Sequence, residues 1–461
     1  MRKSWFAELV SVASVVCLNA GCGTLPDGDE PRTSEPVTTS RQPLVHGWSK
    51  RYGDTSFQYA SKIAVDGSDN IIITACSDGA MDFGGGPLVP TGSECMIAKL
   101  DDSGGYLWSH IMPAMVVRDV ATDSAGNVNV IGSAYDPTFT LADIFIKQFD
   151  ASGNLVWSTG FTSNQYAEGT AIAVDSSDNV IIAGNYWGTL TFGSDTGTSS
   201  SNEVFLAKLD SSGSPIFGRF FGTPSAVHDG GAYALAVDGN DNIIISGWYA
   251  GKMDFGGGPT AATTFPALYN GYVASFDSSG TYLWESEFGN SGTVLATDVA
   301  TDSLGNVVVV GSFDGDIDIG GSTLTSAGNS DIFVAQLDDS GTHLWNHTFG
   351  DTNSDAASSV SINGSGDVFV AGDIVGAVDF GGGTLTSAGN NDAFVAQFDD
   401  SGTHIWSERY GDTDVQGVSS LKIDSNGNAV VAGLFFGSVN FGGTTLIDAG
   451  SGDVFLAQLT P

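Results

Sequence analysis

One hairpin, written seven times, constrains this chain more than any other feature. Its clearest copy is DAFVAQFDDSGTHIWSERYG at 392–411, and DIFVAQLDDSGTHLWNHTFG at 331–350 is nearly identical. In the first, apolar residues alternate from Phe394 to Phe398, a short turn carries Gly402, and a second alternating run centres on Trp406. Period-2 apolar runs around a Gly-containing turn read as a β-hairpin. Repeats of such a unit can close into one large domain. That overrides the two or three domains that 461 residues would otherwise suggest.

The Trp position falls at Trp48, Trp108, Trp157, Phe217, Trp284, Trp345 and Trp406. Each Trp strand leads through a loop to a strand ending in Asp, as at Asp123, Asp175, Asp238 and Asp302. A tight turn and a strongly apolar strand follow, NVVVVGSF at 306–313 being the type. A Gly-rich segment, often Asp-Phe-Gly-Gly, precedes the next hairpin. No stretch sustains a helical period. Four antiparallel strands per repeat predict an all-β, seven-bladed β-propeller. The fourth position of the first turn is Asp69, Gly126, Asp178, Asp241, Gly305, Gly366 or Gly427, residues that tolerate the left-handed backbone a hairpin needs there. The last repeat ends after VFLAQL at 454–459 without its outer strand, and the first begins with a spare Trp strand. Pairing the two closes the ring and hides two strand edges.

The recurrent D-x-F-V-A-Q-L-D-x-S-G-x-x-x-W, followed by a D-x-x-G-N turn, resembles the bacterial β-propeller repeat family, the SBBP repeats. The resemblance covers nearly all of 46–461, and it implies the fold and an exported, surface-attached setting without implying one activity. Ala335-x-Leu337-Asp338…Gly341-x-x-x-Trp345 is similar to the tryptophan-docking motif of quinoprotein propellers, a group that includes outer-membrane assembly lipoproteins. Quinoprotein dehydrogenases carry adjacent cysteines, and this chain has no Cys-Cys pair. Asp-x-x-Gly…Trp resembles the sialidase Asp-box, but the arginine cluster of that family is missing.

Lys and Arg number 15 against 53 acids, a formal charge of −38. That excludes nucleic acid and anionic headgroups as electrostatic partners. Met1-Arg2-Lys3, the apolar run at 9–18 and Asn19-Ala20-Gly21-Cys22 lay out a signal peptide over 1–22. The run is too short to span a membrane. Ala-Gly-Cys resembles a lipoprotein site, with Cys22 the acylated residue. Ordinary signal cleavage nearby is the alternative. Residues 23–45, rich in Pro, Ser and Thr, read as a flexible tether, and 46–461 as the propeller.

Cys76 ends one strand and Cys95 starts its antiparallel neighbour, so a disulfide is geometrically open to them, with two free thiols the alternative. Two acid series recur: Glu94, Asp143, Glu203, Asp331, Asp392 and Asp453, and Asp66, Asp123, Asp175, Asp238, Asp302 and Asp424. Calcium is their functional reading, and carboxylates capping turn N–H groups the structural one. His343 and His404 share one repeat position and His110 and His347 another, and equivalent positions of different blades lie far apart, which disfavours a zinc site or a triad. Asp379-Phe380-Gly381-Gly382-Gly383 has no Lys-Ser/Thr and opens no helix, so it is a bend and not a phosphate loop.

What differs between repeats is the face of long connections. Tyr135, Tyr186, Trp187, Trp248 and Tyr249 occupy near-equivalent positions there, and Tyr269 and Tyr272 follow. Exposed aromatics among Asp and Asn suit sugar or peptide recognition, and core packing is the alternative. The expectation is therefore a monomeric, non-enzymatic binding or scaffolding module at the bacterial cell envelope. It would touch the membrane only through its lipid and recognise a protein or glycan through this face. One rival is a polysaccharide hydrolase or lyase using Asp229 with Glu168, and another is a calcium-stabilised structural module.

Overall fold

The computed structural model describes residues 43–135, 142–222, 229–260, 269–289 and 291–461. Seven four-stranded antiparallel sheets make up the body of the fold. Blade 1 is Gln58–Val65, Ile71–Ser77, Glu94–Leu100 and Tyr106–Met112, and blades 2 to 6 repeat that order. Each inner strand packs beside the inner strands of its two neighbours. The circle runs Gln58–Val65, Val116–Thr122, Tyr166–Val174, Asp229–Val237, Val294–Thr301, Ala356–Ile362, Gln416–Ile423 and back to the first. Blade 7 takes its outer strand from the other end of the chain. Val45–Tyr52 pairs antiparallel with Asp453–Thr460, Val45 opposite Thr460 and Tyr52 opposite Val454. The fold is thus a seven-bladed β-propeller closed by its terminal strands. Cys22, the signal and most of the tether lie outside the described residues.

Second strands such as Val307–Phe313 are buried on both faces, because blades cover them on each side. That is why they read as continuous apolar runs. Full burial of one such side chain is worth about 1.5–3 kcal/mol. The core of each seam mixes two blades: Tyr52 packs on Phe83 at 4.9 Å, and Tyr410 on Phe441 at 4.7 Å. Phe83 and Phe441 belong to the Gly-rich segments. There the glycines let a neighbouring ring lie flat on the backbone: a Cβ at Gly382 would sit 2.2 Å from His404 Cε1, and one at Gly85 2.1 Å from Tyr106 Cζ. In blade 3 this segment is replaced by a long hairpin, Val180–Phe192 with Asp195–Leu209.

The Trp and the Asp-Ser-Gly turn of the repeated hairpin meet across seams. The indole N–H donates to a carbonyl in the next blade's turn in several repeats: Trp108 to Ala151 at 3.1 Å, Trp157 to Ser211 at 3.0 Å, Trp284 to Asp339 at 2.8 Å. Trp48 reaches Asp102 at 3.1 Å, across the ring closure. Turn aspartates fold the turns themselves: Asp302 Oδ1 accepts from Leu304 N at 2.8 Å and Asn306 N at 2.9 Å.

The left-handed turn position does more than relieve strain. Asp69, Asp178 and Asp241 sit there with φ near +60°. Each carboxylate also accepts two bonds from a serine in the preceding blade's turn. Ser124 binds Asp178, Ser176 binds Asp241, and Ser425 binds Asp69 across the closure. Where the position is Gly126, Gly305 or Gly427, the preceding turn carries Gly67, Gly239 or Gly364 in place of the serine.

Candidate functional site

The structure separates the aromatics that sequence grouped together. Tyr186 and Tyr249 are buried, at 1% and 0% exposure. Their hydroxyls donate to Glu203 and Glu287, each at 2.8 Å, and burial raises both phenols above their usual range. Neither ring is presented to solvent, which corrects the expectation that they line a surface groove. The reason is strand alternation: measured from the equivalent Gly184 and Gly247, Tyr186 and Tyr249 share the core-facing position. Tyr272 is likewise buried and donates to Gly231 O at 3.2 Å.

Trp187 and Trp248 are not equivalent. Trp248 matches Asn185, whose side-chain Oδ1 accepts Ala232 N of the next blade at 2.9 Å. Trp187 falls at a register shift in the pairing of its long hairpin, and the bulge turns its ring outward, to 47% exposure. Trp248 meets Tyr269 edge-on at 4.8 Å and is hydrogen-bonded to Tyr233. Tyr135 ends the strand Val128–Tyr135, and its side chain lies outside the described residues.

Glu168 is committed. Its Oε1 accepts Arg118 Nε at 2.6 Å and its Oε2 accepts the Tyr166 hydroxyl at 2.5 Å. Asp229 starts the next inner strand, opposite Ala250. Of the third-strand acids, Asp331, Asp392 and Asp453 accept Ala327 N, Ala388 N and Ala449 N at 2.6, 2.8 and 2.8 Å. Among the described residues no three His, Cys, Asp or Glu side chains are arranged to hold a metal ion. Cys76 and Cys95 face each other in register and form a disulfide.

The largest feature that sequence reasoning missed is the axial cavity, about 340 Å³. Its walls are the second halves of the inner strands, between the bulge and the tight turn, so it lies toward the tight-turn face. Four charged residues line it: Lys62, Asp119, Asp298 and Lys422. Tyr233 is its one aromatic, with burial pushing the phenol up to about 12. Small residues, Ala121, Ala173, Ala236 and Ala300, keep it open. The signal was present in sequence. Lys422 stands two residues before its turn Asp, where five other repeats have Ala.

No family model matches the chain. A curated relative, an uncharacterized WD repeat-containing protein of Acanthamoeba polyphaga mimivirus, is 26% identical over 207 residues. The match covers 38% of this chain and spans 15% of that protein's length. Among solved structures, the Dos1 propeller is 10% identical, with a TM-score of 0.47 over 90% of this chain and 94% of that one. A Dyadobacter fermentans protein of unknown function is 10% identical, with a TM-score of 0.43 over 91% and 99%. The β-propeller domain of the Trilobed protease of Pyrococcus furiosus is 8% identical, with a TM-score of 0.43 over 87% and 93%. The fold assignment rests on this chain's own strand order.

Proposed function

We propose that the chain is a non-enzymatic binding or scaffolding module of the bacterial cell envelope. In this reading the long-connection face of blades 3 and 4 engages a protein or a glycan. The observation that carries it is Trp187, a large aromatic held half-exposed by a strand bulge. Trp248 and Tyr269 form an edge-on pair on the neighbouring blade. An aromatic fixed by a rigid sheet contributes contact area at little entropic cost. The acid pair that a hydrolase would need finds no matching support, since Arg118 and Tyr166 occupy Glu168. Export and an acyl chain on Cys22 belong to the same proposal, and they rest on the layout of residues 1–22.

The test is capture by the whole chain of glycans on an array and of proteins from envelope fractions. Trp187→Ala should lower capture at least tenfold and leave the melting temperature unchanged. Capture that survives the substitution would sink the assignment of this face. Mass spectrometry of the mature N-terminus checks Cys22 separately: a diacylglyceryl adduct supports the anchor, and cleavage at another residue removes it.

A further inference from the structure

Cations are scarce in this chain, 15 against 53 acids, and the fold uses most of those described. Arg51 and Arg409 close on Asp453 and Asp392, and Arg118 on Glu168. Lys99 and Lys208 are buried, paired with Asp66 at 2.8 Å and Asp175 at 2.7 Å. Lys62 and Lys422 differ. They come from the adjoining inner strands of blades 1 and 7 and line the same axial cavity. Neither ammonium makes a hydrogen bond or ion pair among the described residues.

The two acids of that wall are otherwise engaged. Asp119 accepts Val120 N at 2.9 Å and, across the seam, Ile172 N at 2.9 Å. Asp298 accepts Val299 N at 2.9 Å and, across the next such seam, Val360 N at 2.9 Å. These carboxylates stitch blades together. Both lysines act electrostatically on Asp119, which places them on its side of the channel. Two unpaired ammoniums in a protein-walled channel are screened less than on an open surface, because the walls focus their field.

We propose that the axial cavity binds a small organic monocarboxylate, its carboxylate held between Lys62 and Lys422. Its apolar body would lie against Ala121, Ala173, Ala236 and the Tyr233 ring. The size suits this class, since about 340 Å³ falls at the small end of ligand sites, which run from about 300 to 1,000 Å³. The surrounding charge of −38 disfavours polyanions, whose approach it opposes in proportion to their charge. A single carboxylate with an apolar remainder meets the least opposition and fits the alanine wall. The site is independent of the long-connection face and stands or falls apart from it.

Benzoate is the probe and benzamide its neutral counterpart, titrated calorimetrically into the whole chain at low salt. Benzoate is expected to bind, and benzamide at least tenfold more weakly. Lys62→Gln and Lys422→Gln should each weaken benzoate at least tenfold, and Lys147→Gln, outside the cavity, should not. Benzoate that fails to bind, binds equally in both channel variants, or binds no better than benzamide overturns the proposal. Because a channel variant can misfold, reductively methylated lysines of the unaltered protein give a second reading by NMR. The Lys62 and Lys422 signals should shift with benzoate and the Lys147 signal should not. Unmoved channel signals overturn the proposal as well.

Discussion

At the seam between blades 6 and 7, Arg409 closes on the buried Asp392. At the seam between blades 5 and 6, Thr348 stands where that arginine would be, beside the equally buried Asp331. A second exchange accompanies the first. Gln416, whose amide accepts Asp412 N at 3.0 Å and donates to Asp412 Oδ1 at 2.9 Å, is replaced by Asp355. The closing seam between blades 7 and 1 keeps the first pattern, with Arg51 on Asp453 and Gln58 on Asp54. So two nearly identical hairpins border seams of different charge. One balances its buried acids with a cation and an amide, and the other gathers Asp331, Asp351 and Asp355 with no cation beside them among the described residues.

The consequence is electrostatic. Burial raises Asp331 to about 6, with Asp351 adding to the rise, and raises Asp355 to about 7, with Asp351 and Asp331 adding. Burial also raises Asp392 and Asp453, but there the arginine pulls the other way. Oδ1 of Asp331, Asp392 and Asp453 is buried without a hydrogen-bond partner among the described residues in all three seams, and Thr348 Oγ1, at the arginine position, adds another such atom in the seam that lacks the arginine. Near-identity of sequence therefore does not give equal seams, because one position decides whether a buried carboxylate is balanced.

Four changes break or sharpen this contrast. Arg409→Thr makes the balanced seam resemble the other and leaves Asp392 without its cation. Stability at pH 8 should fall by roughly 2–3 kcal/mol, below the cost for a fully buried pair because the arginine is partly exposed. Its urea midpoint checks this, and an unchanged midpoint would show that the pair contributes nothing.

Asp355→Gln makes the opposite conversion. A carboxyl whose folded pKa lies above its unfolded value favours the folded state at low pH. For Asp331 and Asp355 that contribution is complete below about pH 4 and is lost as pH rises through about 6 to 7. Denaturant midpoints of the unaltered chain should thus drop between pH 5 and pH 8. In Asp355→Gln the drop should shrink, with a gain of about 2 kcal/mol at pH 8: about half of the ~4 kcal/mol that ~1.4 kcal/mol per unit of pKa displaced gives, because the one amide oxygen cannot accept both Asp351 N and Val375 N. Equal pH profiles for the two proteins would refute the cluster's role.

Thr348→Arg supplies the missing cation directly. About 1 kcal/mol of stabilisation at pH 8 is expected, less than additive with Asp355→Gln because both act on the same carboxyls. A double-mutant cycle that comes out strictly additive would argue that the two positions do not share a field. The smallest effect belongs to the turns. Ser425→Ala removes the hydroxyl bond of 2.6 Å to Asp69 at the closing seam and should cost about 0.5 kcal/mol, since the pair is exposed. The same substitution at Ser303, whose counterpart in the next blade's turn is Gly366 in place of Asp, should cost nothing measurable.

Local signals carried the architecture. The spacing of Trp48 through Trp406 counted blades correctly even with Phe217 in one place, because the ring fills the seam whether or not it donates. The turn residues Asp69 and Gly126 were readable as left-handed from identity alone. What stayed hidden depends on which residues meet across blades. The serine partner of Asp178 is 54 residues away, and nothing local marks the pair. Tyr186 and Trp187 are neighbours in sequence, but alternation buries one and a bulge exposes the other. Lys62 and Lys422 are 360 residues apart and line one cavity only because the ring closes. Sequence therefore pointed toward the long connections and passed over the axis.

The pairing of Val45 with Thr460 has a temporal side. A chain made from its N-terminus extends Val45–Tyr52 first, yet that strand's partner emerges only after six blades have been synthesised. The first strand out is thus the last to be placed, and its contact has among the largest sequence separations available to the molecule. Until then two strand edges remain open to other chains. Slow completion, and exchange of the N-terminal strand between molecules during that interval, follow from the same clasp that later leaves the ring without a free end.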